Sequence, residues 1–404
     1  MILLDEIDSS LKDLKKRSLF RKRVVVSERK KNQIKINGRW LINFASNDYL
    51  GLSQNSSIKK AIINGINKYG NGGSSSHLVS GHTEAHQNIE KITKNNIGFA
   101  SSILFSSGYL ANLGIITTIA EKDSFVYADK LNHASLNDAC ILSRGKFIRF
   151  PHNDMVALEN HLKNNKTKKK KFIVTDGVFS MDGDIANIPE LVKLAKKYDA
   201  YLYIDDAHGY GILGKSGQGI LEHYEKKDSI KKIAKDRIIY TLTLSKAVGV
   251  SGALVCANKK IVDLVINKSR PYIYTTAEQP ALMYGIKRSF EIIKKNHSLR
   301  SKINDHIYLF RRLINHKNLL VDSITPIQPL VIGDDKKAVK ISNLLIELGF
   351  YVPAIRPPTV PTESARLRVS ISALHSEGDI KKLAQAINEI VKNEIILFIN
   401  SYIE

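Results

Sequence analysis

The chain has 404 residues, 43% of them hydrophobic and 25% charged, which is typical of a folded globular protein and excludes a disordered or fibrous one. No apolar stretch approaches the ~20 residues of a membrane-spanning helix, and the start MILLDEIDSS carries acids where a signal peptide needs basic residues. We therefore expect a cytoplasmic protein with a large domain and a smaller one, and no membrane partner.

The net charge of +22 is the compositional outlier, and nucleic acid, a membrane surface or a polyanionic small substrate could each account for it. The basic residues are scattered, and the densest run, Lys166–Lys171, lacks the interleaved aromatic residues of a single-strand binding face. A solvated loop is therefore the favoured interpretation of that run, and we expect no nucleic-acid partner. A basic surface would suit the phosphates of coenzyme A, but it does not indicate them.

Cysteine usage argues against disulfide and metal chemistry. The two cysteines, Cys140 and Cys256, are far apart in the chain and form no Cys-x-x-Cys pair. Neither a disulfide framework nor a zinc site is therefore indicated, and we expect two buried thiols and no bound metal.

Short apolar runs alternate with segments of helical period through most of the chain. One such helical segment, Ile188–Tyr198, has Pro189 in its first turn and an apolar face of leucines and alanine. The apolar runs read as strands buried on both faces. They are Ile103–Phe105, Phe125–Ala128, Phe172–Thr175, Tyr201–Ile204, Ile238–Thr241 and Ala253–Cys256. This alternation predicts a mainly parallel sheet covered by helices.

The pattern changes after about Pro280. Long lysine-rich helices are predicted over Ile286–Ile314 and Lys336–Leu348, with a few strands such as Leu367–Ser372. We expect a second, smaller α+β domain here. The predicted organisation is an N-terminal segment over 1–49, a large domain over 50–285 and a small C-terminal domain over 286–404.

Ligands of an open parallel sheet gather at the carboxyl ends of its strands, so the residues that follow each predicted strand are the first candidates for a site. Gly108 and Tyr109 open the helical segment Leu110–Ala120, where free backbone N–H groups could bind a phosphate. A simple tight turn is the alternative. Asp205, after another strand, could bind a metal, cap a helix or face a protonated ring nitrogen.

A single lysine stands among small and hydroxyl residues after the strand Ile238–Thr241. The segment Thr243–Gly252 places Lys246 in surroundings where a hidden ammonium is costly unless it is paired or loses its charge. A neutral lysine is a nucleophile towards carbonyls and forms Schiff bases. The alternative is a surface lysine in a glycine-rich loop, and the spacing favours the functional interpretation.

These motifs carry a family resemblance. Thr243–Gly252 resembles the lysine signature of class II pyridoxal-phosphate (PLP) enzymes, and Asp205–His208 resembles their cofactor-ring motif. Segments along nearly the whole chain are similar to the α-oxoamine synthases: Asn47–Leu52, Asn132–Ser135, Asp176–Asp184 and Asp205–Gly209. The resemblance implies an α/β, fold type I PLP-dependent transferase (aspartate aminotransferase-like). Its large domain would hold a mainly parallel seven-stranded sheet beside a smaller α+β C-terminal domain.

The resemblance also implies roles for individual residues. Lys246 would hold pyridoxal 5'-phosphate and act as the base, and Asp205 would pair with the pyridine nitrogen. His133 would stack on the ring and meet the substrate, whereas His208 would lie near the phenolate oxygen. The remaining cofactor contacts implied are Ser180 near that oxygen and Gly108, Tyr109 and Thr243 at the phosphate. A satisfied interior histidine is the alternative for each histidine taken singly.

One run discriminates among the synthases. Ala354–Pro361 resembles the member that condenses L-alanine with pimeloyl-CoA or pimeloyl-acyl carrier protein in biotin biosynthesis. Arg356 would then clamp the amino-acid carboxylate, and Thr359 would lie beside the substrate. Arg21 and Asn47 are the other substrate-binding residues implied. A surface arginine before a rigid turn is the alternative for Arg356, and a basic helix end is the alternative for Arg21.

Other functions stay open at the level of sequence. A ligase that joins glycine to acetyl-CoA, or another α-oxoamine synthase, shares most of these motifs. A basic nucleic-acid-binding protein on an enzyme scaffold is a rival from another class, because fold alone does not fix function. The segments Gly70–His77 and Thr275–Thr276 resemble those that reach the neighbouring subunit's site in this fold, so a homodimer with active sites at the interface is expected.

Overall fold

The computed structural model describes residues 2–165, 168–227 and 235–403. It divides into a larger unit, Leu50–Ser180 with Asp184–Arg300, and a smaller one, Met1–Tyr49 with Met181–Gly183 and Ser301–Glu404. Compared with the predicted domains, residues 1–49 group with the C-terminal part, and residues 286–300 group with the larger unit. Lys166, which begins the predicted basic loop, lies outside the described residues.

A seven-stranded sheet forms the centre of the larger unit, within the residues that are described. Neighbouring strands run in the order Ser101–Phe105, Ala253–Ala257, Ile238–Thr243, Ala200–Asp205, Lys170–Asp176, Ser124–Asp129 and Lys146–Phe150. Ala253–Ala257 is antiparallel to both its neighbours, and the other pairs are parallel. The predicted mainly parallel sheet of an α/β fold is therefore confirmed.

Six of these strands coincide with the predicted apolar runs, and one was missed. Lys146–Phe150 lies at an edge of the sheet and pairs only with Ser124–Asp129. Its Lys146 and Arg149 side chains are exposed, because an edge strand need not be covered on both sides. The continuous apolar pattern that revealed the central strands is therefore absent here.

Helices cover this sheet and form the rest of the larger unit. Their bounds are Ser56–Tyr69, Glu84–Ile97, Gly108–Ile119, Ala134–Leu142, Met155–Asn164, Ile188–Lys197, Ile220–Lys227, Lys259–Lys268, Arg270–Ile273 and Pro280–Lys295. Short turns of helix occur at Leu52–Gln54, His77–Gly81 and Lys235–Arg237. In Ile188–Lys197, Asn187 caps the first turn and Leu191 and Leu194 are buried, as predicted.

The smaller unit has an α+β composition. A four-stranded sheet runs in the order Glu28–Lys30, Gln33–Ile36, Arg39–Asn43 and Phe350–Tyr351, and a three-stranded sheet in the order Ile327–Gly333, Ala365–Ser370 and Ala354–Ile355. Its helical segments are Ile2–Lys16, His297–Leu313, Lys317–Leu319, Asp335–Glu347 and Glu377–Ile403, the second beginning before the unit's boundary at Ser301. None of the helices described is long and apolar enough to span a bilayer.

Candidate active site

Lys246 lies in the loop that follows the central strand Ile238–Thr243. The loop closes on itself, because the Gly249 N–H donates to the Lys246 carbonyl over 3.0 Å. Gly249 has φ +72°, and a Cβ there would lie 2.5 Å from the Ser53 nitrogen, so glycine is required. The side chain of Lys246 ends 2.7 Å from His208 Nε2. The predicted lysine and histidine are therefore brought together.

Asp205 ends the neighbouring strand, Ala200–Asp205, and is buried. Its Oδ1 accepts from the Ala207 N–H over 3.1 Å, and its Oδ2 accepts from Asn112 Nδ2 over 2.6 Å. An ionised carboxylate has about four lone-pair sites, so two bonds leave capacity for a further donor. The predicted protonated ring nitrogen would be such a donor.

His133 precedes the helix Ala134–Leu142 and is exposed. Its backbone N–H donates to Asp176 Oδ2 over 2.6 Å, which holds the residue against the end of a sheet strand. Desolvation lowers the pKa of His133, Asp205 opposes this shift and Lys246 adds to it. Because the backbone of His133 is held in place and its imidazole is open to solvent, the ring can stack on a planar ligand.

The helix Gly108–Ile119 begins with donors suited to a phosphate. Ser107 caps it by accepting from the Leu110 N–H over 3.2 Å. A Cβ at Gly108 would lie 2.6 Å from Thr243 Cγ2, so only glycine permits this close approach. The first backbone N–H groups of the helix have no partner within the helix, and its dipole favours an anion.

The remaining predicted cofactor residues lie on the same unit. Thr243 is buried, and its hydroxyl donates to the Ala207 carbonyl over 3.2 Å. Tyr109 is exposed and donates its hydroxyl to Asp138 Oδ2 over 2.5 Å. Ser180 follows Phe179, whose N–H donates to the Asp184 carbonyl. A contact of Ser180 with a cofactor stays a prediction.

Sequence reasoning missed Asn112, which is 1% exposed in the centre of an otherwise apolar helix. Its amide joins Asp205 to Ser135, which in turn contacts His133. A buried asparagine in an apolar helix was the available signal, since a buried amide needs partners. The partner of Asn112 could be identified only from the folded structure, because Asn112 and Asp205 are 93 positions apart in the sequence.

Apart from His133, the predicted substrate-binding residues lie in the smaller unit. Arg21 donates to the Pro357 carbonyl and to Thr359 Oγ1, both over 3.3 Å. Arg356 donates to the Ser18 carbonyl. Arg21 and Thr359 are exposed and Arg356 is half-buried, so these groups can exchange their present partners for a ligand.

A second arginine of this unit, not assigned from the sequence, contacts the predicted residue Asn47. Arg368 is buried and donates to Asn47 Oδ1 over 3.2 Å and to Ser370 Oγ over 2.9 Å. Arg366, by contrast, forms an ion pair of 2.6 Å with Asp182. The alternation of the strand Ala365–Ser370 could have indicated that both arginines point inwards on one face.

Neither cysteine takes part in the hydrogen bonds of these groups. Cys140 and Cys256 are buried free thiols. Burial raises the pKa of Cys140 to about 12, so its thiol stays protonated. Among the residues the structure describes, no three His, Cys, Asp or Glu side chains are grouped to hold a metal ion.

Comparison with known proteins identifies relatives over almost the entire chain. The family model "Aminotransferase class I and II" matches residues 39–387. An 8-amino-7-oxononanoate synthase of Chromobacterium violaceum is 43% identical over 380 residues, covering 94% of this chain and 97% of the relative.

Two solved structures share the architecture. An 8-amino-7-oxononanoate synthase from Francisella tularensis has a TM-score of 0.74 and 31% identity, covering 88% of this chain and 99% of that one. A serine palmitoyltransferase variant from S. paucimobilis, with bound PLP–myriocin, has a TM-score of 0.88 and 27% identity, covering 96% and 97%. Both agree with the aminotransferase-like fold expected from the sequence.

Proposed function

Since the chain belongs to the class I and II aminotransferase family and, within it, to the 8-amino-7-oxononanoate synthases, we propose a decarboxylative condensation of L-alanine with a pimeloyl thioester. The products are 8-amino-7-oxononanoate, CO2 and the free carrier, which is coenzyme A or acyl carrier protein. This is a PLP-dependent acyl transfer in biotin biosynthesis. The observation that carries the proposal is the 2.7 Å approach of the Lys246 amine to His208 Nε2, at the end of a sheet whose neighbouring strand carries Asp205.

The residues present fit pyridoxal 5'-phosphate. Gly108 begins a helix whose first N–H groups can receive a phosphate, and a Cβ there would collide with Thr243. Asp205 is buried and has acceptor capacity for a ring N–H. PLP, when bound, supplies an electron sink for the negative charge that develops on the substrate α-carbon.

Lys246 would hold the cofactor, and its Nζ atom would accept and return the α-proton of alanine. His208 holds that amine at hydrogen-bond distance and so fixes its direction. The buried carboxylate of Asp205 would face the protonated ring nitrogen, and burial would strengthen that attraction. His133 would cover the ring face and exclude water from it. Ser180 would contact the cofactor's phenolate oxygen, and Tyr109 would join Gly108 at the phosphate.

The amino-acid carboxylate needs a cationic partner. We assign Arg356, Arg21, Thr359 and Asn47 to the substrate, and add Arg368 as a second candidate for the carboxylate. Arg368 supports this role because its guanidinium is buried beside Asn47, and a buried cation gains most from an anionic partner. A planar guanidinium can bind both carboxylate oxygens at once.

A homodimer is proposed for the assembled enzyme. Ser76 and Thr276 pair as an isolated β-bridge, so the two segments expected to reach a partner, Gly70–His77 and Thr275–Thr276, lie together. Val79 and Tyr274 next to them are 80% and 71% exposed, and a second copy of the chain would cover these apolar side chains. Light scattering should give twice the chain mass, and an active monomer would contradict the proposal.

A product assay tests the reaction itself. The purified holoenzyme is given alanine or glycine with pimeloyl-, acetyl- or succinyl-CoA, and release of free CoA and the amino ketone is measured. Alanine with pimeloyl-CoA should be preferred, and pimeloyl-acyl carrier protein is then compared with it. Preference for glycine with acetyl-CoA would assign the chain to the rival ligase reaction instead.

A further inference from the structure

We propose that Asn112 and Ser135 are positioning residues that place the ring hydrogen of His133 on Nε2 and join this ring to Asp205. The inference rests on the proposed function and adds to it residues that act through His133. Asn112, Ser135 and Tyr203 are each 1% exposed, so these polar groups cannot use water and must satisfy one another.

The orientation of the Asn112 amide is fixed from both ends. Tyr203 donates its hydroxyl to Asn112 Oδ1 over 2.7 Å. Desolvation and the nearby Asp205 raise the pKa of Tyr203 well above its ordinary value, so the phenol keeps the proton that it donates. Thr241, 2.6 Å from the same phenol oxygen, then donates to it. The amide nitrogen of Asn112 therefore faces the opposite way.

That nitrogen carries two hydrogens, and the structure gives each an acceptor. One points to Asp205 Oδ2 over 2.6 Å, and the other to Ser135 Oγ over 2.8 Å. Because Ser135 Oγ accepts from Asn112, its own hydrogen is directed to the remaining neighbour, His133 Nδ1, over 2.7 Å. Asn112 thus connects a carboxylate and a hydroxyl through one amide group.

A backbone contact shows which ring nitrogen of His133 accepts a hydrogen bond. The Ser135 N–H points at His133 Nδ1 over 3.2 Å, and a backbone N–H can only donate. Nδ1 therefore accepts, and a neutral ring must carry its hydrogen on Nε2. The lowered pKa of His133, caused first by desolvation, favours that neutral ring. The exposed ring edge then presents a donor to the substrate side.

The test uses holoenzyme labelled with ¹⁵N-histidine. The His133 signals are assigned by their loss in His133→Asn, and the nitrogen shifts report which ring atom carries the hydrogen. In the unsubstituted protein we expect the hydrogen on Nε2 and an acceptor at Nδ1. A hydrogen on Nδ1, or a doubly protonated ring at neutral pH, would overturn the proposal without any variant.

Substitution at Ser135 supplies the second readout. Ser135→Ala keeps the backbone N–H at Nδ1 but loses the hydroxyl contact of 2.7 Å. The Nδ1 shift should therefore move towards that of a weakly bonded acceptor, and kcat should fall about tenfold at an unchanged KM for alanine, the size of one lost hydrogen bond. Ser135→Thr, which keeps the hydroxyl, should restore both. Ser143→Ala is the matched control, because Ser143 is a buried serine whose hydroxyl bonds only to the Cys140 carbonyl in the described contacts.

The outcomes separate this inference from the proposed function. If Ser135→Ala retains the nitrogen shifts and kcat of Ser143→Ala, the positioning role is wrong even though the enzyme makes the amino ketone. If the unsubstituted holoenzyme shows the expected hydrogen position but produces no amino ketone from any acyl donor, the geometric inference stands and the proposed reaction fails.

Discussion

The amine of Lys246 lies 2.7 Å from Nε2 of His208, so one of these two nitrogens donates a hydrogen to the other. His208 is buried, whereas Lys246 is half-buried and can be reached by a ligand. Asp205 ends the strand next to the one that Lys246 follows, and Asn112 and Ser135 link it to His133.

Asp205 is the residue whose charge the reaction needs most. Asp205→Asn preserves shape but removes the negative charge opposite the cofactor ring, so we expect kcat to fall by roughly 100-fold or more, the scale of losing a preorganised charge in a buried site. The assay is alanine-dependent release of CoA, with thermal unfolding to verify the fold. Asp138→Asn, at a carboxylate bound to the exposed Tyr109, should lose far less. Equal activity of the two variants would refute the assignment.

Gly108 should tolerate no side chain. A Cβ at this position would lie 2.6 Å from Thr243 Cγ2, at the start of the helix proposed to bind the phosphate, so Gly108→Ala must displace one of them. We expect the dissociation constant for PLP, measured by titration of apoenzyme, to rise about tenfold, as for loss of one or two weak phosphate contacts. A Cβ added at Gly378 would meet no atom closer than Ser376 Oγ at 3.6 Å, so Gly378→Ala should bind PLP normally. Unchanged affinity in both variants would contradict the phosphate site.

The two candidate arginines can be separated kinetically. Arg368→Lys and Arg356→Lys keep the charge but lose the planar pair of donors, so each should raise the KM for alanine. We expect the larger rise, roughly tenfold, at the buried Arg368, since loss of one charge-assisted hydrogen bond has about that effect. Initial rates against alanine concentration measure it. If neither variant changes KM, both assignments are wrong.

His152 gives a prediction on stability. It contacts Asp129 over 3.0 Å and Asp184 over 2.8 Å, and although burial lowers its pKa, these two carboxylates raise it to about 10. A histidine ordinarily titrates near ~6.5, so the folded state binds the extra proton. The resulting stability is fully present below about pH 6.5 and is lost as pH rises towards 10.

His152→Gln should remove this contribution, at a cost of about 2 kcal/mol for a partly exposed paired histidine. Urea unfolding at about pH 6 and about pH 9.5 measures it, and the difference between variant and unsubstituted protein should shrink at the higher pH. The control is His161→Gln, whose ring lies beside Tyr127. A difference that grows with pH would show that the sign is wrong.

The sequence predicted what depends on local pattern. The central strands appeared as continuous apolar runs because both of their faces are buried, whereas the edge strand Lys146–Phe150 carries exposed basic residues and was missed. The single long helix expected over Ile286–Ile314 is interrupted at Asn296, which ends Pro280–Lys295. A break of one residue leaves the helical period almost unchanged, so periodicity could not reveal it.

For the candidate site, too, the sequence predicted some residues and only the fold revealed others. Motifs identified Lys246, Asp205, His133 and His208. In the structure the Lys246 amine contacts His208, and Asp205 is linked to His133. The link between Asp205 and His133 runs through Asn112. No sequence motif indicated Asn112, because a hydrogen bond between distant segments can be recognised only in the folded chain. Likewise Arg368 became a candidate only when its burial beside Asn47 was known.

The proposed chemistry depends most directly on a covalent bond between Lys246 and PLP. Holoenzyme is reduced with borohydride, digested, and its peptides are mapped by mass spectrometry, with Lys246→Ala treated in parallel. The phosphopyridoxyl label should appear on Lys246 and be absent from the variant. Label on another lysine, or no label in protein that has taken up PLP, would contradict the proposed site.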